Sequence, residues 1–132
     1  MIVLDTHAAI WLAMDRGLGR QSQRIVEKAL SEDRLAVSTI SLWELAMLLA
    51  KGRLRTVKSA GEERRKMTAA GIRELPLTGD LAILAAELEG LDGDPADRII
   101  AATTIAHDAT LVTADQKLLR WRHRLKRQDA ER

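Results

Sequence analysis

Apolar positions along the chain switch repeatedly between two periods. Ile2-Val3-Leu4 is a short apolar run closed by Asp5-Thr6, the pattern of a buried strand. From Ala8 the spacing turns helical through Ile10, Trp11 and Met14, until Gly17 and Gly19 interrupt it. A second helix is predicted over 22–31, with Ile25, Val26, Ala29 and Leu30 on its inner face. Leu35 to Val37 predicts a second strand, after which Ser41 opens a strongly apolar helix ending near Lys51-Gly52. Ser59 and Glu62 have capping-box spacing before a helix that runs to Ala70 and stops at Gly71. Ile72 to Leu75 is a third strand, closed by Pro76. Helices follow over 78–89 and 95–107, separated by a turn at Gly90 to Gly93. Thr110 to Val112 is the fourth strand, and Asp115 begins a short last helix.

Strands alternating with helices imply an α/β domain with a parallel sheet covered on both faces. Residues 1–132 are enough for one such domain with its own core. The end of the chain, about 122–132, reads as a basic tail.

Four acids stand where a predicted strand ends or a predicted helix begins: Asp5, Glu44, Asp97 and Asp115. In a parallel sheet such junctions meet outside the carboxyl ends of the strands, so all four can face one crevice. Each acid alone has a plainer explanation. Asp5 and Asp115 suit helix caps, Glu44 lies three residues after Ser41 in capping-box spacing, and Asp94-Pro95-Ala96-Asp97 is a good helix start. Together they are harder to explain that way. Carboxylates crowded into one site repel and raise one another's pKa, and a divalent cation with hard oxygen ligands is the usual resolution. Metal-dependent phosphoryl chemistry is the leading reading.

Composition narrows the alternatives. No cysteine is present, which removes disulfides, thiolate zinc sites and a cysteine nucleophile. Trp11, Trp43 and Trp121 are the only aromatic residues of the Phe, Trp and Tyr group, so base-stacking platforms are scarce. The net charge of +2 conceals basic stretches at 51–66 and 120–127, each able to contact phosphates, though solvated helix faces and a solvated tail explain them equally well. The amino end lacks a signal-peptide pattern and no apolar run reaches membrane-spanning length, so a soluble cytoplasmic protein is expected. A haloacid dehalogenase-like phosphatase also opens with a strand ending in aspartate, but it needs a second aspartate two residues on, where this chain has His7. His107 at a helix end and His123 in the basic tail suit capping or solvation better than general-base work, and His7 is expected to be structural.

The segments MIVLDTHAAIW, VSTISLWELA, DPADRIIAAT and LVTADQKL resemble, in order and spacing, the PIN-domain family and within it the VapC-type toxins of bacterial toxin–antitoxin pairs. That resemblance implies a three-layer α/β/α fold and an Mg²⁺- or Mn²⁺-dependent endoribonuclease leaving 5′-phosphate and 3′-hydroxyl ends. It places metal ligands on Asp5, Glu44, Asp97 and Asp115. Thr113 matches the hydroxyl residue that orients a ligand or a metal-bound water, Thr6 is a weaker candidate for such support, and Asp94 is expected mainly to cap its helix. It further implies a cognate antitoxin, an RNA substrate, a homodimer formed through helices flanking 51–66, and a toxin–antitoxin hetero-oligomer. An antitoxin helix is expected over the first helices, including Trp11 and Trp43, with core packing the plainer role for both tryptophans and above all for Trp43. Leu48 stands where such toxins often carry lysine, and no extra acid follows Asp115 at Gln116 or Lys117. A catalytically weak PIN-fold module that binds RNA or protein is the alternative.

Overall fold

The computed structural model describes residues 1–132. Its elements follow in the order β1 Ile2–Leu4, α1 Thr6–Ala13, α2 Arg20–Ser31, β2 Leu35–Ser38, α3 Thr39–Ala50, α4 Ala60–Ala70, β3 Arg73–Leu75, α5 Gly79–Glu87, α6 Pro95–Ala106, β4 Thr110–Thr113, α7 Gln116–Arg120 and β5 Lys126–Asp129. The strands form one parallel sheet in the order β3-β2-β1-β4-β5. β1 is therefore central: the chain first builds outward through β2 and β3, then returns to the other side of β1 for β4. That reversal leaves a crevice at the carboxyl end of β1, between β2 and β4.

Alternation along the strands sends side chains to two cores. Val3, Ala36 and Leu111 face one cluster with Ala85 of α5, Ile100 of α6 and Leu118 of α7. Leu4, Val37 and Val112 face the other, with Ala8 and Ala9 of α1 and Val26 and Ala29 of α2. Two covered faces explain why these strands read as continuous apolar runs. The result is the three-layer α/β/α sandwich expected from the sequence.

Two local expectations are corrected. β2 continues to Ser38, and α3 begins at Thr39 with Ser38 as its cap, the Ser38 hydroxyl accepting from Ile40 N at 3.2 Å. Ser41 is thus a buried first-turn residue and no capping box joins it to Glu44. Residues 126–129, expected as part of a basic tail, form a fifth strand paired with β4 from Thr110↔Lys126 to Thr113↔Asp129. Leu125 and Ala130 anchor it by burial at either end. Arg127 donates to the carbonyls of Leu118 and His123, and Ser22 Oγ donates to Asp129 O at 2.8 Å. Charged side chains on an edge strand also guard it against pairing with another chain.

Candidate metal centre

β1 ends by handing its chain to α1 through Asp5, whose N–H donates to Val112 O of β4 at 2.9 Å. Asp5 caps α1, Oδ1 accepting from Thr6 N at 2.8 Å, while Oδ2 accepts from the Thr113 hydroxyl at 2.6 Å. The carboxylate is almost fully buried, and burial pushes its pKa up against the lowering pull of those hydrogen bonds. Thr113, wholly buried at the end of β4, also accepts from Asp115 N at 3.0 Å. One hydroxyl thereby ties the acid of β1 to the acid that follows β4.

Glu44 comes from α3, in its second turn. Thr6 Oγ1 lies 2.9 Å from Ser41 Oγ and donates to Glu44 Oε1; having one proton, it gives that to the carboxylate and accepts from Ser41. Burial again raises the Glu44 pKa, with the Thr6 hydrogen bond opposing and the charges of Asp5 and Asp94 adding to it. Asp94 caps α6 by accepting from Ala96 N at 2.9 Å, and Asp115 caps α7 by accepting from Lys117 N at 2.9 Å. Both are caps as the sequence suggests, and both also line the crevice.

Asp97 lies in the first turn of α6 and accepts no hydrogen bond from the chain. Burial first, then the charges of Asp5, Asp115, Asp94 and Glu44, push its carboxyl up to about 7. The coulombic part of that shift requires the acids to share one space. They do: Asp5, Glu44, Asp94, Asp97 and Asp115 line a crevice of about 430 Å³, together with Glu131. As placed, no three acids stand close enough to share one cation directly. The donor chemistry nevertheless fits a hard divalent ion: six carboxylates against the single imidazole of His7, in excess negative charge, with no lysine or arginine in the lining.

Two residues depart from their expected roles, and one further acid joins the crevice. His7 is exposed and lines the crevice, so it is not a packing residue. Trp43 is 56% exposed, which overturns core packing for it, whereas Trp11 is half-buried at the crevice wall. Glu131 reaches the crevice because residues 130–132 fold back onto the start of α2, with Gly19 N donating to Ala130 O and Gln21 N to Arg132 O, each at 2.8 Å. Nothing in the sequence pattern signals that return.

A second missed feature is Arg98, beside Asp97. It donates to Ala85 O at 2.9 Å, Ala86 O at 3.0 Å, Leu88 O at 2.7 Å and also to Leu91 O. The planar guanidinium satisfies carbonyls left open where α5 ends and so pins the start of α6 in place.

The family model described as PIN domain matches residues 2–123. The chain is 35% identical over 124 residues to Ribonuclease VapC22 of Mycobacterium tuberculosis, covering 92% of each. Among solved structures, VapBC2 of Rickettsia felis bound to a DNA fragment from its promoter superposes with a TM-score of 0.69 at 23% identity, covering 97% of this chain and 98% of that one. FitAcB of Neisseria gonorrhoeae gives a TM-score of 0.64 at 22% identity, covering 98% of each chain. These structural matches speak for the fold. The family match, which spans Asp5, Glu44, Asp97 and Asp115, together with the similarity to VapC22 shows that the chain belongs to the PIN-domain family, as a VapC-type member.

Proposed function

We propose that the chain is a metal-dependent endoribonuclease and the toxin of a toxin–antitoxin pair, acting in the cytoplasm. The observation that carries this reading is the convergence of Asp5, Glu44, Asp97 and Asp115 on one crevice at the reversal point of the sheet. The similarity to a protein named as a ribonuclease supports the substrate class.

Those four acids would hold Mg²⁺ or Mn²⁺. When bound, such an ion supplies a water of lowered pKa and offsets the charge of the phosphoryl group in transfer. The chain's own residues prepare the site. Thr113 fixes Asp5 and the turn to Asp115; Thr6 fixes Glu44; Asp97, unrestrained by hydrogen bonds, is free to turn toward a cation. Without a cation the crevice repels a phosphodiester, so metal and RNA bind in order. Cleavage would leave 5′-phosphate and 3′-hydroxyl ends.

The partner is proposed from the solved relatives, one of which is described as a toxin–antitoxin complex from Klebsiella pneumoniae with a TM-score of 0.59. An antitoxin would lay an apolar helix over the first helices and offer a basic side chain to the acids. Exposed Trp43 and Met47, one turn apart on α3, support a homodimer interface beside residues 51–66. Induced expression in a bacterial host tests the whole reading. Growth should stop, new 5′-phosphate RNA ends should appear, and co-expression of the product of the neighbouring gene should relieve both. Unchanged growth and RNA ends on induction of a folded protein would contradict it.

A further inference from the structure

The acidic crevice continues along α1 into a second pocket of about 560 Å³, with His7 and Trp11 lining both. The new pocket is apolar where the first is acidic: Ile10, Trp11, Met14, Leu48 and Leu54 line it. Its size lies within the range of roughly 300–1,000 Å³ common to small-ligand sites. The Trp11 ring is held in place by Gly17 of the same pocket, which, at φ +100°, approaches so closely that a Cβ there would lie 2.7 Å from Trp11 Cγ. Only glycine fits both the backbone angle and the contact.

Arg16 and Arg53 stand on the same pocket, exposed, and neither belongs to an ion pair within the chain. An indole, two guanidinium groups outside any ion pair and an apolar floor in one pocket match one chemistry well: a planar base with its neighbouring phosphates. An apolar side chain from a protein partner would fill the floor but leave both arginines facing no anion. The adjoining crevice offers no lysine or arginine of its own, so a polyanion threading through it must find its cations next door.

We propose that this pocket seats the base of the nucleotide adjoining the scissile phosphate of single-stranded RNA, with Trp11 as its stacking surface and Arg16 and Arg53 on the neighbouring phosphates. The inference rests on the nuclease reading above for the position of the scissile phosphate, and the test separates the two.

Full-length Asp97→Asn protein, expected to cut at least about a hundredfold more slowly, is titrated in the presence of Mg²⁺ by fluorescence anisotropy with a labelled 12-nucleotide single-stranded RNA of random sequence. The comparison probe is an abasic ribose-phosphate oligomer of equal length. Stacking on one aromatic is worth a factor of roughly ten, so RNA should bind about tenfold more tightly than the abasic chain. Trp11→Ala and, separately, Leu48→Lys should bring that ratio to about one, and Arg53→Ala should weaken both probes alike. Circular dichroism melting confirms folding, and Leu48→Lys, a change on a half-exposed helix face, keeps the test usable if Trp11→Ala unfolds. An unchanged ratio in folded Leu48→Lys, no preference in the parent, or binding of neither probe overturns the pocket. Loss of antitoxin binding with the RNA ratio intact also overturns it, assigning the pocket to a protein. Cleavage by the otherwise native chain is scored separately: base preference without cleavage removes the nuclease reading only, and cleavage without base preference removes the pocket only.

Discussion

The hydroxyl of Thr113 donates to Oδ2 of Asp5 at 2.6 Å, joining the ends of two adjacent parallel strands, while accepting from the N–H of Asp115. A single buried side chain therefore sets the relative position of two crevice acids. Thr113→Val keeps the shape and removes the donor. Leaving a buried carboxylate oxygen unsatisfied costs about 1–3 kcal/mol, so denaturant unfolding should show a loss of that size, cleavage should fall, and Thr113→Ser should restore most of both. Full stability and activity in Thr113→Val would show that the hydrogen bond orients nothing.

Asp97 gives the metal-free protein a pH dependence. Its carboxyl is raised from an ordinary value near 3.8 to about 7 in the folded state, so the folded protein takes up a proton that the unfolded chain does not hold in that window. The stability it contributes is fully present below the unfolded value and is lost as pH rises through about 7. The melting temperature of metal-free protein should therefore rise on going from pH 8 toward pH 5, and Asp97→Asn should flatten this slope. A slope identical in the two proteins would place the titration elsewhere.

Metal binding should act in the opposite sense to that repulsion. Adding Mg²⁺ at pH 8 should raise the melting temperature by binding only the folded state, and Asp115→Asn should shrink the increment. The same substitution should raise the melting temperature of the metal-free protein, because one like charge leaves the crevice. An equal Mg²⁺ response in both proteins would remove Asp115 from the ligand set.

Arg98 makes a structural prediction. Its carbonyl hydrogen bonds join the end of α5 to the start of α6, and lysine cannot reproduce the planar fork. Arg98→Lys should cost about 2–4 kcal/mol of unfolding free energy, since hydrogen bonds to charged groups count roughly double. Cleavage should fall with it, through displacement of Asp97. A loss under about 0.5 kcal/mol would make the clamp dispensable.

The sheet was legible in the sequence because both of its faces are covered: Ile2-Val3-Leu4, Leu35 to Val37 and Leu111-Val112 are apolar without alternation. The acids were legible because they stand at or near helix starts, and caps at Asp5, Asp94 and Asp115 serve the helix and the crevice at once. β5 was hidden because Lys126-Arg127-Gln128-Asp129 is polar, held by backbone pairing, by the burial of Leu125 and Ala130 and by long-range side-chain bonds such as those of Arg127, none of which shows as an apolar period. The start of α3 was misplaced because Ser38 and Ser41 both suit a cap, and only the pairing of Ser38 with Leu75 decides between them. Glu131 and the exposure of Trp43 depend on long-range chain return and on which helix face is left uncovered. Local periodicity records neither.

Single-turnover cleavage with purified full-length protein decides whether these carboxylates serve RNA cleavage through a divalent cation. End-labelled RNA is incubated with native and Asp97→Asn protein, each with EDTA and then with excess Mg²⁺ or Mn²⁺. The native protein should cut only when the cation is restored, and the folded Asp97→Asn protein should cut at least about a hundredfold more slowly, as expected when charge stabilisation in the transition state is lost. Undiminished cleavage in EDTA, or native rates from folded Asp97→Asn protein with Mg²⁺, would contradict that role.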